Sequence, residues 1–385
     1  MVVSALIPVL NYDQRYRLVA ERKVSTRFQI YARIVRPVNI EIVGQAHLDW
    51  FNSRTYRPHS PRQRSRHSMH SYTACGITFE SEMELPGMEP AKVDHQPSLQ
   101  IRYGEVPETL DGATFEGAAY EAAPGRLLLF TPPASFLVQN GSEILVQPEP
   151  GASESDVRVF LLGSAFGAML HQRSILPLHG SCVQVGDSAI VFSGHSGAGK
   201  STLAAHLKER GYSVWSDDVS PIHVLPDVGA VVFPGFPRMR LWTEALQSLG
   251  LEAANFEQPR KQVQKFDVPI QRKIQQDFLP IRKLYVLSET RDFERDPKGI
   301  KEITGSNRLS VLLRQTYRFS YLEGLDQRTE HFRVAASVLQ SVSMFRLWRP
   351  WNLNLIDESL DALEAHWNGA EIAGEESESD LLRAA

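Results

Sequence analysis

The chain has 385 residues, 42% of them hydrophobic and 22% charged, with a formal net charge of −4. That balance belongs to a globular protein with room for about two or three domains, and it excludes collagen-like or wholly disordered chains. Two cysteines, Cys75 and Cys182, make no metal or disulfide pattern, so reduced thiols and a cytoplasmic location are expected. No apolar run approaches the roughly eighteen residues of a membrane span, and Val2–Leu10 lacks the basic flank and small-residue cleavage site of a signal peptide.

Charge is uneven. Residues 1–70 carry twelve Lys/Arg against four Asp/Glu, so the remainder is acidic. A basic arm can signal nucleic acid, but no recognisable nucleic-acid module accompanies this one. Neither a nucleic-acid nor a membrane partner is expected. Arg33–Val43 has some strand character. Residues 53–68 are nearly all Arg, Ser, His, Pro and Gln. Such a composition cannot offset its ordering entropy, so residues 1–68 are expected to be disordered. Met69 opens an ordinary domain start, and the expectation is that translation begins there, with 1–68 an upstream extension.

Residues 70–150 predict a small β-rich domain. Its strands are Tyr72–Phe79, Ser98–Tyr103, Arg126–Phe130, Ser135–Gln139 and Glu143–Gln147, separated by turns such as Asn140-Gly141. No catalytic constellation falls within it. Residues 156–368 predict a third unit. A helix, Val157–Arg173, leads in. Strands follow at Leu178–Val185 and Ser188–Ser193, then a helix from Ser201 closed by Gly211, then a strand Tyr212–Ser216. Ile222–Val224 and Val231–Phe233 read as a hairpin, and Leu284–Leu287 as a strand. Ser306–Tyr317 and Thr329–Met344 have helical period, Phe345–Trp348 reads as a strand and Ser359–Trp367 as a last helix. The acidic tail, 369–385, is expected to be mobile.

Residues 194–201 read Gly-His-Ser-Gly-Ala-Gly-Lys-Ser, a complete G-x-x-x-x-G-K-S loop between a buried strand and a helix. Backbone N–H groups of such a loop converge on phosphate, and the helix N-terminus adds positive potential. The expected nucleotide contacts are Gly194, His195, Ser196, Gly197, Ala198, Gly199, Lys200, Ser201 and Thr202. Lys200 reaches the β/γ-phosphates and Ser201 holds Mg2+. Asp217-Asp218 closes the next predicted strand, seventeen positions from Ser201 to Asp218. The pair should arrive at the nucleotide edge of the sheet, on a strand beside the loop strand. One carboxylate can take a hydroxyl proton and the other, Asp217, can hold Mg2+. His179, fifteen residues before the loop, reads on spacing alone more as a hydrogen-bonded core residue than as a functional one. Arg238 and Arg240, two apart, face one way in an extended segment and are candidate phosphate clamps.

These spacings resemble the catalytic domain of HPr kinase/phosphorylase. The likeness is carried by Leu178-His-Gly-Ser-Cys-Val, Ser193-Gly-His-Ser-Gly-Ala-Gly-Lys-Ser and Arg210-Gly-Tyr-Ser-Val-Trp-Ser-Asp-Asp, about forty residues in all. The resemblance implies a P-loop kinase core of that type, a mixed sheet with flanking helices, preceded here by the β-rich domain. It implies catalytic roles for His179, Lys200 and Asp218, with Asp218 taking the acceptor serine's proton. It also implies that the basic loop of Arg260, Lys261 and Lys265 closes over the phosphate. The family's Glu-x-Arg-Gly-Leu-Gly signature is missing: Phe233–Trp242 stands there instead, with Glu244 nearby. That segment resembles the shorter HPr-kinase-like proteins of lasso-peptide clusters. The expectation is an ATP- and Mg2+-dependent serine kinase acting on a small protein or peptide, without the reverse phosphorylase reaction. Homo-oligomerisation stays open. The rival reading is a non-catalytic ATP-binding regulator. No Leu-Ser-Gly-Gly signature supports a transporter-type ATPase.

Overall fold

Short apolar and alternating segments build one eight-stranded and one nine-stranded sheet, and helical residues 154–172 lie between them in the chain. The computed structural model describes residues 19–21, 29–31, 68–91, 96–258, 264–272, 275–290, 299–350 and 352–369. Two short strands, β1 (Val19–Glu21) and β2 (Gln29–Tyr31), pair antiparallel. The strand character at 33–43, the disorder expected of most of 1–68 and the mobility expected of the tail lie outside the described residues.

The first sheet contains β3 (His70–Ala74), β4 (Ile77–Ser81), β5 (Leu99–Tyr103), β6 (Phe115–Glu116), β7 (Tyr120–Ala123), β8 (Arg126–Phe130), β9 (Ala134–Gln139) and β10 (Glu143–Pro148). Its order is β3-β4-β5-β10-β9-β8-β7-β6. The one strand predicted over Tyr72–Phe79 is a hairpin instead. Cys75 (φ 57°) and Gly76 (φ 72°) both adopt the left-handed conformation of a two-residue turn. Strands β6 and β7 escaped the sequence reading because they are short and flanked by turn residues.

The predicted helix over Val157–Arg173 runs as α1 (Glu154–Phe160), a π-helical turn (Leu161–Ala165) and α2 (Phe166–Gln172). Ser153 caps it by accepting a hydrogen bond from the Asp156 N–H. Its apolar face packs on the first sheet, with Phe166 edge-on to Phe79 at 5.5 Å. Gly167 faces Tyr317, and a Cβ there would stand 3.0 Å from the tyrosine ring, so this helical glycine is a packing requirement.

The second sheet and its ribbon comprise β11 (Leu176–Leu178), β12 (Gly180–Val185), β13 (Ser188–Ser193), β14 (Ser213–Ser216), β15 (Ser220–Leu225), β16 (Gly229–Val232), β17 (Arg238–Trp242), β18 (Lys265–Pro269), β19 (Leu279–Thr290), β20 (Gly299–Glu302) and β21 (Ser343–Pro350). The helices are α3 (Lys200–Glu209), α4 (Thr243–Ser248), α5 (Asn307–Arg314), α6 (Tyr321–Gly324), α7 (Arg328–Val338) and α8 (Ile356–Trp367). The main order is β11-β15-β16-β19-β13-β12-β14, with β21 on β19 and β20 on β21, while β17 and β18 form a separate ribbon. Strands β13, β19 and β21 are parallel. Strand β12 is antiparallel to both β13 and β14, so β13 and β14 end at the same edge. Side chains of β13 alternate between two cores. Ile190 and Phe192 join α3 and α8, while Ala189 and Val191 join α5 and α7. The architecture is therefore mixed α/β, with flanking helices on both faces.

Three predicted boundaries move. The strand read over Leu178–Val185 breaks at His179, because β11 pairs with β15 and β12 with β13. The helix read over Thr329–Met344 stops at Val338, and Ser343 and Met344 already pair with β19. Strand β19 runs twelve residues rather than four, since it pairs in turn with β16, β13 and β21. No helix among the described residues is long and apolar enough to cross a membrane.

A histidine pair lies beneath the turn that follows α5. His171 and His331 are 2% and 6% exposed, with ring centroids 5.6 Å apart. The His171 Nε2–H donates to the Tyr317 carbonyl, and His331 Nε2 bonds the Thr316 hydroxyl. Burial lowers both pKa values, to about 3 for His171 and about 4 for His331. Unfolded histidines take up protons near pH 6.5, whereas these do not until well below it. Stability from their neutral burial is therefore full above pH 6.5 and is lost as pH falls towards 4. Thermal melts should show a large drop in midpoint between pH 7 and pH 5. His331→Gln should shrink that drop, and an unchanged pH dependence would contradict the assignment.

Candidate active site

Strand β13 ends at Ser193, and the chain turns through Gly194 (φ 145°), Gly197 (φ 87°) and Gly199 (φ 81°) into α3. Left-handed and extended positive-φ conformations suit glycine, and they curl the backbone round one point at a helix N-terminus. Lys200 is 6% exposed. Its Nζ donates to the carbonyls of Gly194 at 3.1 Å and His195 at 2.9 Å. Burial pulls its pKa down to about 8, while Asp218 and Asp217 resist that fall. Ala198 and Thr202 are buried, and Ser196 and Ser201 are partly exposed in the same turn. Arg349, at the end of β21, lies beneath the loop and donates from Nη2 to the Ala198 carbonyl at 2.8 Å. A Cβ on Gly199 would overlap the Arg349 guanidinium.

Asp217 and Asp218 follow β14 at the edge where the loop lies. Sequence reasoning placed their strand beside the loop strand, but β12 lies between the two. That insertion is useful, because β12 supplies Ser181. The Ser181 hydroxyl donates to Asp217 Oδ1 at 2.6 Å, and the Arg240 N–H donates to Oδ2 at 2.9 Å. The Ser201 hydroxyl also hydrogen-bonds Asp217. Burial raises the Asp217 pKa against these three bonds. A buried carboxylate joined to the loop's Ser201 is a hard-oxygen donor pair. It suits Mg2+, which takes one or two carboxylates together with substrate phosphates. Among the described residues no cluster of three or more His, Cys, Asp or Glu forms an all-protein metal cage.

Asp218 adopts a left-handed backbone (φ 66°), uncommon for a non-glycine residue. Its carboxylate lies 3.7 Å from His179 Nδ1 and 3.7 Å from Arg240 Nη1. Burial pushes its pKa up, yet Arg240, His179, Lys265 and Arg238 together hold it down at about 2. His179 occupies the break between β11 and β12. Its Nδ1–H donates to the Asp218 carbonyl at 2.9 Å, which fixes the turn and leaves Nε2 as the ring's acceptor. Burial first, and then Lys200, lower the His179 pKa to about 4, so the ring is neutral at pH 7.

Arg238 and Arg240 lie on one face of β17, as their spacing required, but carboxylates hold them. Arg238 Nη1 donates to Asp267 Oδ2 at 2.6 Å, and Arg240 Nε stands 3.4 Å from Asp267 Oδ1. Asp267 faces Arg240 directly across the β17–β18 register. Lys265 begins β18, and its ammonium lies 5.0 Å from the Trp242 ring centroid. Lys261 and Arg260 lie outside the described residues. Glu244, near the missing family signature, is exposed in α4.

Several site residues escaped the sequence reading. Asp267 and Ser181 are single polar residues in strands, and only register brings them to the site. Tyr317 and Arg318 follow α5. The Tyr317 ring centroid is 5.9 Å from that of His179, and Arg318 Nη2 donates to the Ser164 hydroxyl at 2.8 Å. Arg318 has φ 54° and lies 5.4 Å from the Tyr317 ring. Burial depresses its pKa, but Tyr317, Tyr321 and Asp218 outweigh burial and raise it. An arginine in the left-handed region has no sequence signal of its own.

No family model matches the chain, and none of the curated proteins matches it. Among solved structures, the Hpr(Ser) kinase/phosphatase from Coxiella burnetii is similar over 50% of this chain and 93% of that chain, with a TM-score of 0.25 and 9% identity.

Proposed function

We propose that the protein is an ATP- and Mg2+-dependent kinase that transfers the γ-phosphoryl group to a serine hydroxyl of a small protein or peptide, on a P-loop core of HPr-kinase type. The observation that carries this reading is Asp218, a carboxylate kept ionised at the strand edge that also receives the glycine loop and Lys200. A nucleotide-binding regulator needs the loop but has no use for such a base.

Loop amides of 194–201 hold the phosphate chain. Lys200 exchanges its two loop carbonyls for phosphate oxygens and offsets the charge that develops on the transferred group. Ser201 and Asp217 would hold Mg2+, whose charge would offset that of the phosphate oxygens. The acceptor oxygen forms the new bond to the γ-phosphorus as the bond to the β,γ-bridging oxygen breaks, and ADP leaves. Asp218 takes the hydroxyl proton. With its pKa at about 2 it is a weak base, so proton transfer falls late, when the acceptor oxygen is already bonding to phosphorus. His179 acts through the Asp218 backbone, holding its strained turn. Arg240 keeps the carboxylate ionised and is itself held by Asp267.

Incubation with radiolabelled ATP and a host lysate, or with a candidate peptide, should label an acceptor at serine. Tight ATP binding with no label in any acceptor would instead favour the regulator. Lys200→Ala and Asp218→Asn should each lower transfer by at least about a hundredfold. Asp218→Asn should leave ATP affinity within about threefold, because the loop is untouched. Full transfer in either variant would remove that residue from the mechanism.

Gly199→Ala supplies a separate check on the loop. The added methyl collides with Arg349 and disfavours the positive φ. Titration calorimetry should show ATP binding weakened by at least about tenfold with the fold retained by circular dichroism. Wild-type affinity would mean that the loop does not bind nucleotide in this conformation.

A further inference from the structure

Arg272 is a buried cation that faces neither the loop nor the acid pair. Its side chain is 3% exposed. Nη1 donates to the Trp215 carbonyl at 2.7 Å and Nη2 to the Gly235 carbonyl at 2.7 Å. Nε stands 3.3 Å from Glu89 Oε1. Each of these partners belongs to a segment that matters to the site. Trp215 precedes Asp217 by two residues on β14. Gly235 lies in the loop that enters β17 at Arg238, and its own N–H donates to the Trp215 carbonyl at 2.8 Å. Arg272 itself follows β18, the strand of Lys265 and Asp267, and the Ile270 N–H donates to the Pro237 carbonyl at 2.8 Å.

Glu89 brings in the first sheet. Its carbonyl accepts from the Thr73 N–H of β3 at 3.2 Å. Close by, the Cys75 N–H donates to the Pro234 carbonyl at 2.7 Å, and His223 Nε2–H donates to the Cys75 carbonyl at 3.0 Å. The loop that delivers the two arginines of β17 is thus held between the β3–β4 hairpin and the end of β14.

We propose that Arg272 is a positioning residue for phosphoryl transfer: its two-pronged hold on the Trp215 and Gly235 carbonyls sets the Asp217–Asp218 turn against Arg238 and Arg240, and Glu89 ties that hold to the β-rich domain. The proposal rests on the kinase reading of the same site. A planar guanidinium suits this place because one rigid fork meets two carbonyls while its Nε faces the Glu89 carboxylate, whereas a lysine presents a single point charge on a flexible stem and loses that three-way geometry. The glycine loop, Lys200 and α3 make none of these contacts, so nucleotide binding and acid-turn placement are separable.

The test uses the full chain with Arg272→Lys and Glu89→Gln. Arg272→Lys should lower kcat by at least about tenfold with KM for ATP within about threefold, and Glu89→Gln should act in the same direction by about threefold. Combining Arg272→Lys with Arg240→Lys should cost less than the product of the two single losses, since Arg272 acts through the placement of Arg240. A residue that only supports the fold would lower the melting temperature and the fraction of active sites, would leave kcat per active site unchanged, and would combine multiplicatively with Arg240→Lys. That pattern overturns the proposal. Amide hydrogen exchange provides a readout that needs no turnover. Arg272→Lys should speed exchange by about tenfold at 215–218 and 235–240 while leaving 194–209 unchanged. Unaltered exchange at 215–218 and 235–240 overturns the positioning role even if the wild type phosphorylates its acceptor. A wild type that binds ATP but phosphorylates nothing, with the exchange change present, removes the kinase reading and leaves the coupling intact.

Discussion

Four cations converge on the site: Lys200, Arg238, Arg240 and Lys265, with Asp217, Asp218 and Asp267 set among them. Burying a charge costs several kcal/mol unless a partner and hydrogen bonds offset it. The rest of the site can be read as the solution to that cost. Asp267 occupies both arginines of β17, so they are fixed rather than free to wander. Lys200 turns back onto two loop carbonyls, so the anion cradle is closed by its own cation. Phosphate would then bind by exchange of partners, replacing carbonyl contacts with oxygens of greater charge. Asp218 is the residue that gains most from the surplus of positive charge, which keeps its carboxylate ionised against burial.

The two acids divide their labour through their surroundings. Asp217 is met by Ser181, the Arg240 N–H and Ser201, and its pKa lies above the ordinary value because burial prevails. A divalent cation beside Ser201 would relieve that burial cost. Asp218, one residue on, faces cations and sits below the ordinary value. The φ of 66° at Asp218 turns adjacent carboxylates into different environments, and His179 pays part of the strain by holding the Asp218 carbonyl. Neutral His179 does this without adding charge, consistent with its depressed pKa.

Much of this site was legible in chain order because its strongest parts are local. A strand, a glycine loop and a helix lie within twenty-two contiguous residues, 188–209, and their spacing alone implies a phosphate cradle. The acid pair follows after one helix and one strand. The strand inserted between β13 and β14 was not legible as such, because β12 precedes β13 in sequence and only pairing shows where it lies. Asp267 and Arg272 were illegible for a similar reason. Each gains its meaning from a partner more than twenty residues away, through strand register or a carbonyl contact. Arg349 is further still, 151 residues from the loop carbonyl it holds. The break at His179 was hidden because residues 178–185 read as one strand in chain order, although Leu178 pairs with β15 and Gly180–Val185 with β13.

The first sheet and its turns bond to the two segments that deliver site residues. On one side are Glu89 and Cys75, which meet Arg272 and Pro234. On the other, the Tyr120 hydroxyl donates to the Ser320 carbonyl and the Thr114 hydroxyl to the Gly324 carbonyl, at 3.0 Å each. That second loop carries Tyr317 and Arg318. Loops are the mobile parts of most folds, yet chemistry demands that their side chains be placed closely. Here the Pro234, Ser320 and Gly324 carbonyls accept from groups of the first sheet and its turns, and the Gly235 carbonyl from Arg272. A sheet with no catalytic constellation of its own therefore has a structural part in the site. The loops stay where the strand-end acids lie because groups of the first sheet and its turns hold their far sides.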